Sequence, residues 1–302
     1  METPQTLSPD QMRALLPERP ASGHKGTFGH LFVLAGSRGF TGAAKLTAMA
    51  AARSGAGLVT VGVPRPLADV IAAGLLEPMS LPLPATEMES FAYAALEPAL
   101  AFAADKQAVA MGPGLSPHPG TQRFAIEFTR RCPVPLLIDA DGLNALVSDL
   151  GALDAAPAPR ILTPHPGEMA RLTGCSTQEI QDAREETARE FAASHRCVVV
   201  LKGHGTVIAD PSGETRINPT GNSGMATGGA GDVLSGLIGG LLAQGMAAFP
   251  AALLGAYLHG LAGDLAAQRK TERALIARDL IKSLPKAWRA LEEGGLPHAN
   301  GR

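Results

Sequence analysis

Asp232 follows a run of small residues, Thr227-Gly-Gly-Ala-Gly231, and precedes the apolar stretch from Val233 to Ala243. Such a run forms a loop that feeds a helix N-terminus. Glycines at 228, 229 and 231 let the backbone turn its N–H groups toward one point, and the helix adds the positive end of its dipole, so the junction suits a phosphate. An aspartate at that junction has two readings. It can cap the helix by accepting orphan N–H groups. It can also act as a base for a hydroxyl that attacks a bound phosphoryl group, and an unshifted pKa of about 4 would already leave it ionised at neutral pH. The loop alone leaves both open.

Other polar residues lie in loops of the same kind. Lys202-Gly-His-Gly-Thr206 ends an apolar run, and Lys202 there is either a rim charge or a ligand contact. His165 stands between Pro164 and Pro166, either as a satisfied surface group or as a ligand contact. Glu168 reads as a first-turn helix charge. Asp139, Asp141 and Asn144 can hold magnesium or cap the next helix, and capping is the preferred reading. His24, His30, His204 and His259 show no metal-ligand spacing, and the sequence leaves the metal ligands unknown. Cys132, Cys175 and Cys197 form no CxxC pair and read as reduced, mostly buried thiols.

The elements that must carry these loops follow from apolar periodicity. Continuous apolar runs at 30–35, 58–63, 107–111, 135–139, 160–163 and 197–202 read as strands buried on both faces. Each of them ends in Gly, Pro or polar residues and then a helical stretch, of which 41–53 is the plainest. Repeated strand, loop and helix units imply an α/β fold with a mainly parallel central sheet and helices on both faces, its ligands lying beyond the strand C-termini. Segments 206–210 and 214–218 read as a hairpin turned at Pro211-Ser-Gly213. Residues 233–243, 251–269 and 275–293 read as three closing helices, and 8–16 as a short capped one. Residues 1–24 form an N-terminal arm, 25–293 one domain, and 294–302 a frayed tail.

Composition narrows the partners. The 302 residues are 45% hydrophobic, enough to bury a full core, and a formal charge of −2 gives no footprint for nucleic acid or an anionic membrane. The first 25 residues lack the apolar core of a signal peptide, and the longest apolar run, 251–267, is broken by His259 and Asp264. A cytoplasmic protein with a small ligand is expected.

Eight segments in order carry a resemblance: Lys25-Gly-Thr-Phe-Gly29, Ala35-Gly-Ser37, Thr41-Gly-Ala-Ala44, Gly112-Pro-Gly114, Asp139-Ala-Asp-Gly-Leu-Asn144, Thr163-Pro-His-Pro-Gly-Glu168, Lys202-Gly-His-Gly-Thr206 and Gly221 to Asp232. Together they resemble the ADP-dependent NAD(P)H-hydrate dehydratases, the carbohydrate-kinase-like half of the YjeF family in the ribokinase-like superfamily. The resemblance implies a ribokinase-like fold and removal of water from the S-epimer of hydrated NADH or NADPH, with ADP as co-substrate and Mg²⁺ bridging its phosphates. It further implies that Lys202, Gly203, His204, Gly205, Thr206 and Gly231 hold the nucleotide. Ala43, Gly114, His165 and Asp232 would meet the hydrated nicotinamide, with Asp232 as base. Backbone N–H groups of Gly228, Gly229, Ala230 and Gly231 would serve as the anion hole. Ala230 and His204 depart from the usual pattern, which has threonine and alanine there. The resemblance also implies a homotetramer and a separate hydrate epimerase. A small-molecule kinase of the same superfamily is the alternative reading, and a nucleotide-binding regulator without turnover is a third.

Overall fold

Leu31 to Ala35 are fully buried although they alternate in direction, so both faces of this strand are covered. The computed structural model describes Gln5–Gly294, so residues 295–302 of the tail expected over 294–302 and residues 1–4 of the arm lie outside the described residues. Along the chain run β1 (Gln5–Thr6), α1 (Pro9–Ala14), β2 (His30–Leu34), α2 (Thr41–Arg53), β3 (Leu58–Pro64), α3 (Ala68–Ala72), β4 (Met79–Leu83), α4 (Leu96–Ala103) and β5 (Ala108–Met111). There follow α5 (Pro119–Arg131), β6 (Leu136–Ile138), α6 (Asp141–Leu146), α7 (Gly151–Asp154), β7 (Arg160–Leu162), α8 (Pro166–Thr173), α9 (Thr177–Asp182) and α10 (Arg184–Ser194). The chain closes with β8 (Val198–Leu201), β9 (Thr206–Ala209), β10 (Thr215–Asn218), α11 (Ala230–Ala243), α12 (Ala248–Lys270) and α13 (Ala277–Glu293).

These strands form one sheet in the order β1-β10-β9-β8-β7-β6-β5-β2-β3-β4, parallel except where β9 runs antiparallel to β8 and β10. The result is a single-domain, ribokinase-like α/β fold. Period-two alternation divides the core. Leu31, Val33, Val61, Ala110, Leu137, Ile161 and Val200 face a cluster with α11 and α12, whereas Phe32, Leu34, Val109, Met111, Ile138 and Val199 face α4 and α5 on the other side.

Three differences from the sequence reading have physical causes. β4 contains Pro82, which lacks an N–H for the ladder and disguises an edge strand. β1 is two residues long and exists only by pairing Gln5 with Arg216 and Thr6 with Ile217. Helix α11 begins at Ala230 rather than Val233, because Gly229 takes φ +88° and starts the helix within the glycine run. Cys132 and Cys197 are buried and Cys175 is exposed, and all three are free thiols.

The packing of α2 on α11 places the glycine loop. A methyl built on Gly236 would stand 2.1 Å from the Thr47 carbonyl oxygen, and one on Gly240 would stand 1.9 Å from Ser54 Oγ. Only glycine permits this approach, which brings the N-terminal half of α2 alongside Gly228 and Gly229. Among the described residues no helix is long and apolar enough to cross a membrane.

Candidate active site

The C-terminal ends of β2, β5, β6, β7 and β8 open on one edge of the sheet, and each delivers a polar loop to it. At the end of β6, Asp139 is 1% exposed. Lys202, just past β8, donates from Nζ to Asp139 Oδ1 at 2.7 Å, and Ser235 Oγ of α11 donates to the other oxygen at 2.7 Å. Glu168 Oε2 lies 3.6 Å from the same Nζ. Asp139 is therefore not the helix cap that was its preferred reading. The cap position of α6 belongs to Ala140, held at φ +47°, and a methyl on Gly112 would stand 1.8 Å from the Asp139 carbonyl oxygen. A strained alanine and an obligatory glycine fix where this carboxylate points.

Asp232 occupies the first turn of α11 and accepts no hydrogen bond among the described residues, so capping is not its role. Its pKa is pushed up to about 6, first by burial and then by the charge of Asp139, against the opposing pull of Lys202. The unshifted value near 4 expected from the sequence is corrected accordingly. Burial alone would lower Lys202, yet Asp139 and Glu168 outweigh it and hold the ammonium above its usual range. Asp139, Glu168 and Asp232 share a single ammonium, so the cluster carries excess negative charge in a half-enclosed space. Burial first, and then the charge of Asp139, is what keeps Asp232 basic.

In the glycine loop three backbone donors are open and one is engaged. The N–H groups of Gly228, Gly229 and Gly231 have no acceptor among the described residues, but Ala230 N–H donates to Thr227 O at 3.3 Å. Ala230 therefore does not complete a four-donor hole. Its carbonyl accepts from His259 Nε2 of α12 at 2.9 Å, a bond that braces the turn. Burial lowers the His259 pKa to about 4, so the ring is neutral at pH 7.

His165 is the N-cap of α8. Its Nδ1 accepts from Gly167 N and Glu168 N at 3.0 and 3.3 Å, while the backbone N–H of His165 donates to Glu168 Oε2 at 2.7 Å. This capping box occupies Nδ1, Nε2 lies 3.5 Å from Glu168 Oε1, and burial lowers the ring's pKa. The cap and the ligand reading are compatible, since one uses Nδ1 and the other Nε2. Ala43 and Gly114 sit together at the start of α2: a methyl on Gly114 would be 3.2 Å from Ala43 Cβ, and Ser37 Oγ donates to Gly114 O at 2.8 Å.

In the segment 202–206 the Lys202 side chain turns into the carboxylate cluster, His204 is exposed, and Thr206 Oγ1 donates to Gly203 O at 3.1 Å. Gly203 takes φ +142°, and Arg184 of α10 clamps the bend by donating to Leu201 O at 3.0 Å, Lys202 O at 3.3 Å and the His204 carbonyl. Arg184, Ser235 and His259 were not legible in the sequence, because each lies on a helix remote in the chain and belongs to no local motif. A Cβ on Gly231 would lie 3.5 Å from Lys202 Nζ and 3.6 Å from Asp139 Oδ2, so this glycine leaves the ion pair open to the loop.

Residues 31–286 match the family model described as NAD(P)H-hydrate dehydratase. The chain is 49% identical over 281 residues to the bifunctional NAD(P)H-hydrate repair enzyme Nnr of Moorella thermoacetica, covering 93% of this chain and 53% of that protein. It thus spans about half the length of such bifunctional relatives. It is 37% identical over 283 residues to the ADP-dependent (S)-NAD(P)H-hydrate dehydratase of Bacillus subtilis, covering 94% of this chain and 97% of that protein. The crystal structure of the ADP/ATP-dependent NAD(P)H-hydrate dehydratase from Bacillus subtilis, co-crystallised with ATP and Mg²⁺, superposes with a TM-score of 0.81 at 35% identity, covering 97% of this chain and all of that one.

Proposed function

The chain belongs to the NAD(P)H-hydrate dehydratase family, and from that premise we propose that it dehydrates the S-epimer of hydrated NADH or NADPH at the expense of ADP. The observation that carries this reading is the Asp232 carboxylate, which accepts no hydrogen bond among the described residues and has its pKa pushed up to about 6, beside the open N–H groups of Gly228, Gly229 and Gly231. The hydrated ring bears a hydroxyl on the carbon next to its nitrogen, and hydroxide is a poor leaving group. The hydroxyl oxygen attacks the terminal phosphoryl group of ADP, the bond to AMP breaks, and the hydroxyl proton passes to Asp232. Phosphate then leaves as the ring nitrogen lone pair moves in, and loss of a proton from the adjacent ring carbon restores the double bond. The products are NAD(P)H, AMP and phosphate.

In this reading Ala43, Gly114 and the Nε2 of His165 position the hydrated nicotinamide, and Gly203, His204, Gly205 and Thr206 hold the adenylate. Lys202 neutralises charge from below the loop. Among the described residues no group of three or more His, Cys, Asp or Glu side chains closes around a point as a metal cage. Asp232 and Glu168 are the carboxylates that would help hold a Mg²⁺ brought by the nucleotide. Such an ion would supply charge neutralisation at the phosphates. A cytoplasmic location, a homotetramer and a different catalytic unit for epimer interconversion complete the proposal. The last agrees with the word bifunctional in the names of the longer relatives.

The test is incubation of the protein with hydrated NADH or NADPH, Mg²⁺ and either ADP or ATP, followed by reduced-nicotinamide absorbance and phosphate release. Recovery of absorbance with stoichiometric AMP and phosphate is expected from ADP. A stable phosphate ester without that absorbance would make the protein a kinase. Light scattering of the purified protein reports its assembly.

A further inference from the structure

Beside the glycine loop lies a cavity of about 630 Å³, within the range of about 300–1,000 Å³ usual for small-molecule sites, that the reaction above does not use. Its walls are α2 and the first turns of α13, and Gly228 forms part of its rim. Along α2, Lys45, Met49 and Arg53 recur at i, i+4 and i+8, and along α13 Arg278, Ile281 and Lys282 share one face. Lys45, Arg53, Arg278 and Lys282 make no ion pair or side-chain hydrogen bond among the described residues, and no carboxylate lines the cavity. Lys45 stretches across Gly74, where a methyl would stand 2.8 Å from Nζ. Leu46, Met49 and Ile281 supply an apolar floor.

The cavity touches the catalytic base through one residue. A methyl built on Gly229 would be 2.5 Å from Leu46 Cδ1 and 3.7 Å from Asp232 Oδ2, so the floor of the cavity and the base both approach that glycine. Gly42, next to Ala43 of the nicotinamide side, lines the same space. A polyanion approaching Asp232 meets a cluster that is already short of positive charge, and unpaired cations gathered at one mouth of the site compensate for it.

We infer that this cavity binds the adenosine-diphosphate half of the dinucleotide substrate, with its phosphates on Lys45, Arg53, Arg278 and Lys282 and its base against Leu46, Met49 and Ile281. The inference rests on the dehydratase reading for the identity of the reacting half. Four cations exceed the two charges of a pyrophosphate. The 2′-phosphorylated dinucleotide is therefore the preferred hydrate.

The experiment compares wild type with the double charge reversal Arg278→Glu and Lys282→Glu. Both side chains are exposed, so thermal unfolding is expected to match wild type. Three hydrates are assayed with ADP and Mg²⁺: those of NADPH, of NADH and of reduced nicotinamide mononucleotide, which lacks the distal half. Wild type should favour the dinucleotides over the mononucleotide in kcat/KM by about a hundredfold, and the variant should lose most of that preference, as removal of two charge-assisted contacts dictates. An undiminished preference in the variant would overturn the inference. Calorimetric titration with ADP-ribose and its 2′-phosphate is read independently of turnover. Binding to wild type that weakens at least about tenfold in the variant is expected, at about 1.4 kcal/mol per decade. Equal affinity in both proteins overturns the site. If wild type turns over none of the hydrates yet binds ADP-ribose and the variant does not, the dehydratase reading fails while the site stands.

Discussion

Asp232 and Asp139 answer to the same electrostatics but serve different ends. Asp232 is the only carboxylate of the cluster without a hydrogen bond, and its raised pKa is suited to accepting a proton near neutrality. Asp232→Asn should lower kcat by about a thousandfold or more while nucleotide affinity, measured by calorimetry, stays within about threefold, because loss of general-base catalysis alone typically spans 10² to 10⁴. Full turnover in that variant would remove the base. In the wild type, kcat/KM should fall with acidity below about pH 6 as the carboxylate takes its proton. Asp139 raises that value, so Asp139→Asn should move the acid limb to lower pH, a change that a purely structural role for Asp139 would not produce. The same substitution removes the close partner of Lys202 and should cost about 3 kcal/mol in denaturant unfolding.

Two helices decide whether the loop exists as an anion site. Gly236 of α11 lets the Thr47 carbonyl of α2 come within contact, so Gly236→Val must push the helices apart. A loss of about 2–4 kcal/mol in stability and a weaker nucleotide affinity are expected together, since the same displacement moves Leu46 from Gly229. Destabilisation with unchanged nucleotide binding would show that the loop holds its shape without α2. Arg184 acts likewise from α10, where its guanidinium fixes the bend at Gly203. Sequence periodicity finds such helices and misses the contacts that aim them.

Across the whole molecule, two groups with displaced pKa values oppose each other in acid. His259 has its pKa lowered from 6.5 to about 4, so the folded state resists a proton that the unfolded state takes, and stability is lost as pH falls from 6.5 toward 4. Asp232 has its pKa raised from 3.8 to about 6, so the folded state holds the proton longer and gains stability as pH falls over nearly the same window. The two slopes cancel in large part. Asp232→Asn should therefore show a melting temperature that drops between pH 6.5 and 4, and His259→Gln one that rises between pH 6 and 4. A flat profile in both variants would mean that neither group titrates as its surroundings dictate.

The alternation of apolar strands with glycine-ended loops determined the mainly parallel sheet and the edge at which its polar loops gather, because burial on both faces imposes continuous apolar runs. Eight motifs in order also placed Asp232, His165 and the glycine loop on that edge. Tertiary structure alone decided that Lys202 points into a carboxylate cluster, that Asp139 is buried rather than capping a helix, and that Asp232 carries a pKa near 6 instead of about 4. Each of those depends on charges brought together from β6, β8, α8 and α11, and Coulomb energy follows distance in space, which the order of residues along a chain does not record.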